Sequence, residues 1–247
     1  MTLFENCLKE SFSFEGEDRL CLSLLRGIIG NFDGDIFYMD IGCNDPFKNN
    51  NTYLFYKLGY MGICIDPLPE SKKKFNKHRE KDIFFNVAIT DKEEEKNMQV
   101  YKDKIISLLT EVYDGASTLD EKTKKEYSFK FEEKEVIRVK TKTLKNIFKA
   151  MDLKDKIDIP LLSIDVEGFD EIVFKQALEI NHNFEIIIVE DKNFNLTRKF
   201  PQSEISKIAH KYGYILIAKT LLNSIYVRTK SDIFKWLPNS MLTYNIK

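Results

Sequence analysis

Short apolar runs that close on an acid, separated by stretches of helical period, limit what this chain can fold into. Residues 36–41 (IFYMDI) lead into Gly42, residues 61–65 (MGICI) into Asp66-Pro67, residues 160–166 (PLLSIDV) into Glu167-Gly168, and residues 184–189 (FEIIIV) into Glu190-Asp191. Residues 83–89 (IFFNVAI) form a further run, and residues 214–218 and 224–228 complete the series. Runs this short, rich in Ile and Val and without strict alternation, suit strands covered on both faces. Helical patterns lie between them at 52–58, 70–79, 143–151, 170–179 and 203–212. Strand and helix in repeated alternation give a parallel sheet with right-handed crossovers.

The end of the chain breaks that rule. Only residues 219–223 separate the last two runs. A parallel crossover needs about a dozen residues or more, so these two strands must pair antiparallel. The expected architecture is α/β: a seven-stranded, mostly parallel sheet with a C-terminal antiparallel hairpin. Residues 16–25 read as an amphipathic helix before the first strand, and residues 232–237 as a short helix carrying Trp236, the only tryptophan. The expected division is an N-terminal helical segment over 1–30, one domain over 31–230 and a tail over 231–247. The charge-dense stretches 91–104 and 121–142 read as surface excursions, solvated helix faces and loops.

Lys and Arg number 38 and Asp and Glu 39, a net charge of -1. That balance excludes a broad nucleic-acid or anionic-membrane surface. Cys7, Cys21, Cys43 and Cys64 show no zinc-site spacing and read as small buried hydrophobes in a reducing compartment. No apolar run reaches signal-peptide or membrane-spanning length, so the expectation is a cytoplasmic protein with no transmembrane segment.

In open α/β sheets, ligands bind outside the carboxyl ends of the strands. The first such segment is Asp40-Ile41-Gly42-Cys43-Asn44-Asp45. Gly42 lets the backbone approach a ligand closely. One glycine and two acids do not make a phosphate cradle; they suit positive groups, such as the amino group or sulfonium of S-adenosylmethionine. Asp66 follows the second strand, 24 residues beyond Gly42, where a carboxylate can accept both hydroxyls of a ribose diol. Pro67 fixes the exit turn. Asn86, Val87 and Ala88 end the third strand, where Asn86 could reach an adenine edge. Asn51 or Thr52 is a natural cap for the following helix, whose free N-terminus suits a carboxylate.

Several blocks in order, MDIGCNDP, NNNTYLFYKLGYMGICIDP, NVAIT, STL, VKTKTL, PLLSIDVEGFD and IIIVE, resemble the FkbM family of S-adenosylmethionine-dependent methyltransferases. The resemblance spans about residues 37–190. It implies a Rossmann-like class I methyltransferase fold and O-methylation of sugars, polyketides or related metabolites, hence a small-molecule or glycan-precursor acceptor. Asp40, Gly42, Asn51, Thr52, Asp66 and Ala88 match the family's cofactor-side positions. Tyr56, Tyr60 and Asp66 depart from its commoner Glu, Trp and Glu.

A neutral alcohol needs a base or a metal to become nucleophilic. His78 and His210 fall within helical patterns, and His182 leads into a strand, at the wrong sheet edge. The post-strand acids Asp165, Glu167 and Glu190 are the candidate catalytic residues, with Asp165 foremost. Either one serves as base, or the cluster holds a hard cation such as Mg²⁺. Lys192 and Asn193 could touch the acceptor. Ser117 and Thr118 offer hydroxyls from a region expected to cover it. Three other readings stay open: an acceptor with a phosphate or phosphoramidate oxygen, a nicotinamide-dependent oxidoreductase (though G-x-G-x-x-G is absent), and an inactive partner-binding module.

Overall fold

The structure is a computed structural model and describes residues 10–29, 36–103, 117–152, 159–180, 183–194 and 203–235. Cys7, His182 and Trp236 lie outside the described residues.

The chain runs through α1 (Glu17–Leu25), β1 (Tyr38–Ile41), α2 (Tyr53–Lys57), β2 (Gly62–Ile65), α3 (Pro69–His78) and β3 (Ile83–Phe85). Next come β4 (Ala88–Ile89), β5 (Glu95–Asp103), β6 (Ser117–Thr118), α4 (Glu121–Lys130) and β7 (Phe131–Lys142). Then follow α5 (Leu144–Ala150), β8 (Leu161–Ile164), α6 (Asp170–Ile180), β9 (Ile186–Glu190), α7 (Glu204–Lys211), β10 (Tyr214–Lys219) and β11 (Asn223–Arg228).

The main sheet has seven strands in the order β10-β11-β9-β8-β1-β2-β3. Its strands pair in parallel except β11, which is antiparallel to both β9 and β10. The five-residue gap thus does what loop length demands. The strand order reverses between β1 and β8, which are hydrogen-bonded neighbours, so a crevice opens above their carboxyl ends.

Pleating sorts side chains by parity. Met39, Ile41, Ile63, Ile65, Leu162, Ile164, Ile187 and Val189 face α5, α6 and α7, meeting Phe148, Phe174 and Ala209. Tyr38, Cys64, Leu161, Ile186 and Ile188 face α1, α2 and α3, meeting Leu22, Phe55 and Phe75. Both faces are covered, which explains the uninterrupted apolar runs. Burying each such Ile, Leu or Val side chain contributes about 1.5–3 kcal/mol. Parity also puts Asp40 and its register partner Ser163 on the α1–α3 face.

Two expectations need correction. Residues 83–89 are not one strand: Asn86 and Val87 form a break, β3 staying in the main sheet and β4 pairing with β7. The charged stretches supply β5 and β7 of a second sheet, order β4-β7-β5-β6, with α4 against it. Most of β7 is exposed, so its side chains are free to be charged while the backbone ladder with β5 satisfies its polar groups. A small cluster around Met98, Val100 and Val139 anchors this sheet apolarly, with the packed rings of Tyr101, Tyr127 and Phe131.

Cys21, Cys43 and Cys64 are buried free thiols. Among the described residues, no helix is long and apolar enough to cross a membrane.

Candidate active site

A cleft of about 660 Å³, including its open mouth, lies over the ends of β1, β2 and β8. Gly42, Asn44, Asp66 and Pro67 line one side of it; Asp165 and Glu167 line the other. Val87, Ala88 and Ser117 border it from the second sheet and the break before it, with Met98 and Leu119. Asp40, Asn51, Thr52, Asn86 and Glu190 stand behind this surface rather than on it.

Gly42 has φ 86°, in the left-handed region. A Cβ there would fall 1.7 Å from the Asp165 carbonyl oxygen, so the turn closes against β8 only with glycine. Asp66 begins where β2 ends. Its Oδ2 accepts the Asn44 N–H at 3.0 Å and its Oδ1 the Leu68 N–H at 2.9 Å. Burial pushes Asp66 up to about 6; the Asp40 charge adds to this, while the Leu68 and Asn44 amides and the Ser71 hydroxyl oppose it. Asn86 braces the same turn, donating to the Asp66 and Leu68 carbonyls at 2.9 and 3.1 Å.

Asp40 lies beneath the turn. Its Oδ2 accepts from Thr52 Oγ1 at 2.7 Å and Asn50 Nδ2 at 3.2 Å. Burial raises its pKa, opposed by Thr52 and by the nearby Arg79 guanidinium. Asn51 donates to Ser163 Oγ at 3.1 Å. Thr52 takes the N-cap position of α2, but its side chain makes no capping hydrogen bond. The Thr52 and Tyr53 N–H groups both point to Asn50 Oδ1, at 3.0 and 2.8 Å, so this helix start is already satisfied from within.

On the other side, carboxylate oxygens of Asp165, Asp170 and Glu190 all lie within 4.8 Å of one another. Register places β8 and β9 side by side, which is what brings their trailing acids together. Asp170 opens α6 and turns both oxygens back, accepting the Val166 N–H at 2.9 Å and the Gly168 N–H at 3.0 Å. Glu167 sits at φ 51° and Gly168 at φ 110°, which folds the acid loop over β8. Lys192 Nζ bridges Glu190 at 2.8 Å and Glu167 at 3.0 Å. The Tyr127 hydroxyl, from α4, also donates to Glu167, and Thr118 Oγ1 donates to the Glu167 carbonyl at 2.6 Å.

These neighbours set the proton affinities. Burial and the Glu167 and Asp170 charges push Glu190 up to about 8, against the pull of Lys192. Burial raises Asp170 to about 6, its two amide donors opposing. Asp165 is pushed well above the carboxylate range, first by its recessed place at the strand end and then by Glu167, Glu190 and Asp170. Its side chain is nonetheless exposed toward the cleft, so solvent screens part of that upward push. Burial alone would lower Lys192, but the Glu167 and Glu190 charges hold it above the ordinary lysine range. Among the described residues, Asp165 receives no side-chain or amide hydrogen bond, whereas Glu167, Asp170 and Glu190 each have donors.

Matched against family descriptions, residues 40–216 fit the methyltransferase FkbM domain. The chain belongs to the FkbM methyltransferase family. No curated protein sequence and no solved structure gives a significant match. The match begins at Asp40 and ends in β10, so the FkbM domain takes in the glycine turn, the second sheet and both acid-bearing strand ends.

Four side chains of this FkbM domain escaped the sequence reading: Asn50, Arg79, Asp170 and Tyr127. Asp170 was legible only as a helix start, and Tyr127 sat within a charged stretch. Arg79, 1% exposed, is indistinguishable in sequence from a solvated helix arginine. A second cavity of the FkbM domain, about 730 Å³ with its mouth, adjoins the acid loop. Among the described residues it is lined by Asp120, Glu126, Glu171, Asp191 and Glu204 as well as Asp170 and Glu190, against Lys122 and Lys192.

Proposed function

We propose that this methyltransferase is cytoplasmic, uses S-adenosylmethionine, and methylates a hydroxyl oxygen of a sugar or a related glycan or secondary-metabolite precursor. The carrying observation is the division of the cleft: a glycine turn with Asp66 on one side, and on the other Asp165, the acid of the loop that has no donor among the described residues. The strand order β3-β2-β1-β8-β9-β11-β10 supports a Rossmann-like class I methyltransferase fold over 31–230, with α1 as an N-terminal segment and 231–247 as a tail.

The residues fit such a cofactor. Asp66 takes one main-chain donor on each oxygen and the Ser71 hydroxyl besides, and it borders the cleft, where a remaining lone pair can meet a ribose hydroxyl. Gly42 leaves room for a close backbone approach, and Val87, Ala88, Ile65 and Met98 give an apolar wall for a base. Bound there, the cofactor supplies an electrophilic methyl group. Asp165 takes the proton of the acceptor hydroxyl, helped by its raised proton affinity. Glu190, Glu167 and Lys192 fix the electrostatic setting of that acid. Asn44, Ser117 and the Asp40–Thr52–Asn51 layer hold the walls.

Mg²⁺ fits less well. The Lys192 ammonium already stands against Glu190 and Glu167, and both Asp170 oxygens accept amides. No step is assigned to a metal. The surplus of carboxylates in the adjoining cavity also favours a neutral hydroxylated acceptor over a phosphate or phosphoramidate.

Calorimetric titration with S-adenosylmethionine tests the cofactor. A methyl-transfer screen across neutral sugars, sugar nucleotides and phosphoryl compounds, with and without Mg²⁺, tests the acceptor. Absence of binding would overturn the reading; transfer confined to phosphoryl compounds would overturn the acceptor class.

A further inference from the structure

We propose that Asn50 is the positioning residue of the glycine turn, and that Arg79, with the Thr52 and Tyr53 amides, fixes which way its amide faces. Together they set the turn's affinity for its ligand. The part concerning affinity rests on the cofactor reading above.

Asn50 is 2% exposed and does not border the cleft. Its Nδ2 donates to the Cys43 carbonyl at 3.2 Å, the Asp45 carbonyl at 3.0 Å and Asp40 Oδ2 at 3.2 Å. The two carbonyls flank Asn44, which is held at φ 44° with its N–H on Asp66 Oδ2. One amide therefore pinches the turn that aims Asn44 at Asp66. Asn50 acts on the cleft through these two residues, not by touching a ligand.

An asparagine amide could sit either way round. Arg79 removes the choice together with the Thr52 and Tyr53 N–H groups, which also donate to Oδ1. A guanidinium has donors and no acceptor and stays charged, so the group facing its Nη1, 3.0 Å away, must be Oδ1. Arg79 is itself immobilised: Nε donates to Asp82 at 2.6 Å and Nη2 to the Tyr38 hydroxyl at 2.8 Å. The rings of Tyr38, Tyr56 and Phe75 lie 5.0 to 5.3 Å from its guanidinium carbon. Turning the Asn50 amide over would set its NH2 against this cation and its oxygen against three acceptors. The Thr52 hydroxyl completes the layer, donating to Asp40 and accepting from Arg79 Nη2 at 3.1 Å.

Two variants test this. Asn50→Ser removes the pinching donor with a small loss of volume; Arg79→Lys keeps the charge but loses the fork that orients Asn50. Native-state hydrogen exchange is read at the Asn44 amide, with the β1 and β8 amides as internal controls. Affinity for S-adenosylmethionine is read by calorimetry at a temperature where the variant is fully folded by circular dichroism. The expected result is exchange at Asn44 at least tenfold faster with unchanged controls, and cofactor affinity at least tenfold weaker. Wild-type protection at Asn44 in both variants overturns the positioning role. Faster exchange with cofactor affinity unchanged within threefold overturns the affinity role. If both variants are unfolded even at low temperature, the two residues hold the fold rather than the turn, and the proposal fails. A wild-type protein that does not bind S-adenosylmethionine sinks the cofactor reading, while the exchange arm still decides the positioning role.

Discussion

The Asp165 carbonyl oxygen occupies the place where a Gly42 side chain would begin: a Cβ there would lie 1.7 Å away. The turn proposed to receive a ligand and the strand that carries the candidate base are therefore fitted to each other through one missing methyl group. Gly42→Ala should cost about 2–4 kcal/mol of stability, because a left-handed φ and a backbone clash coincide. It should also weaken S-adenosylmethionine binding more than tenfold. Urea unfolding and calorimetry check both effects; an alanine variant as stable as wild type would show that β8 can yield.

Asp165→Asn should lower turnover by about 10² to 10⁴ while leaving cofactor affinity within a few fold, the signature of a lost general base. Single-turnover methyl transfer on the acceptor found by screening measures it. Full turnover in the variant would move the proton-accepting role elsewhere in the acid loop.

Asp66→Asn should weaken S-adenosylmethionine by about 1.5–3 kcal/mol, the usual worth of a hydrogen bond to a charged group. With Asp66 raised to about 6, wild-type affinity should also fall as pH drops through that value, and the variant should not show that fall. Titrations at pH 5, 6 and 8 separate the two proteins.

Glu190 makes stability depend on pH in an unusual direction. Its folded pKa of about 8 lies above the value near 4.3 expected when unfolded. Between those limits the folded state binds more protons, so stability falls as pH rises from about 4 to 8. Asp66 and Asp170, both raised to about 6, add to the lower part of that window. Glu190→Gln should flatten the decline between pH 6 and 8. Thermal melts across the range check this; parallel curves for the two proteins would mean that Lys192 fully neutralises Glu190.

What could be read from the sequence was whatever both faces of a sheet or the length of a loop impose. Ile63, Leu162 and Ile187 announced strands because no solvent-facing position interrupts their runs, and residues 219–223 were too few to cross over. Asp66, Asp165 and Glu190 were picked out as candidates by the single rule that ligands gather at carboxyl ends. The rule could not tell which end residues point into the cleft. Asp40 and Thr52 are drawn under it by strand parity and a buried arginine, and Glu190 lines the neighbouring cavity instead. β5 and β7 stayed hidden because strands exposed to water keep a backbone ladder without an apolar pattern. Arg79 stayed hidden because its burial depends on Asp82, Tyr38 and Asn50 converging from separate segments.

The second sheet finds its strand partners within itself, in the order β4-β7-β5-β6, yet it and the segment after β6 lend Met98, Ser117 and Leu119 to the cleft, and α4, packed on it, lends Tyr127 to Glu167. Swapping its outer residues would therefore leave the parallel register untouched. Diversity libraries aimed at new acceptors would do best to begin there, with the β1 and β8 ends held constant as the chassis.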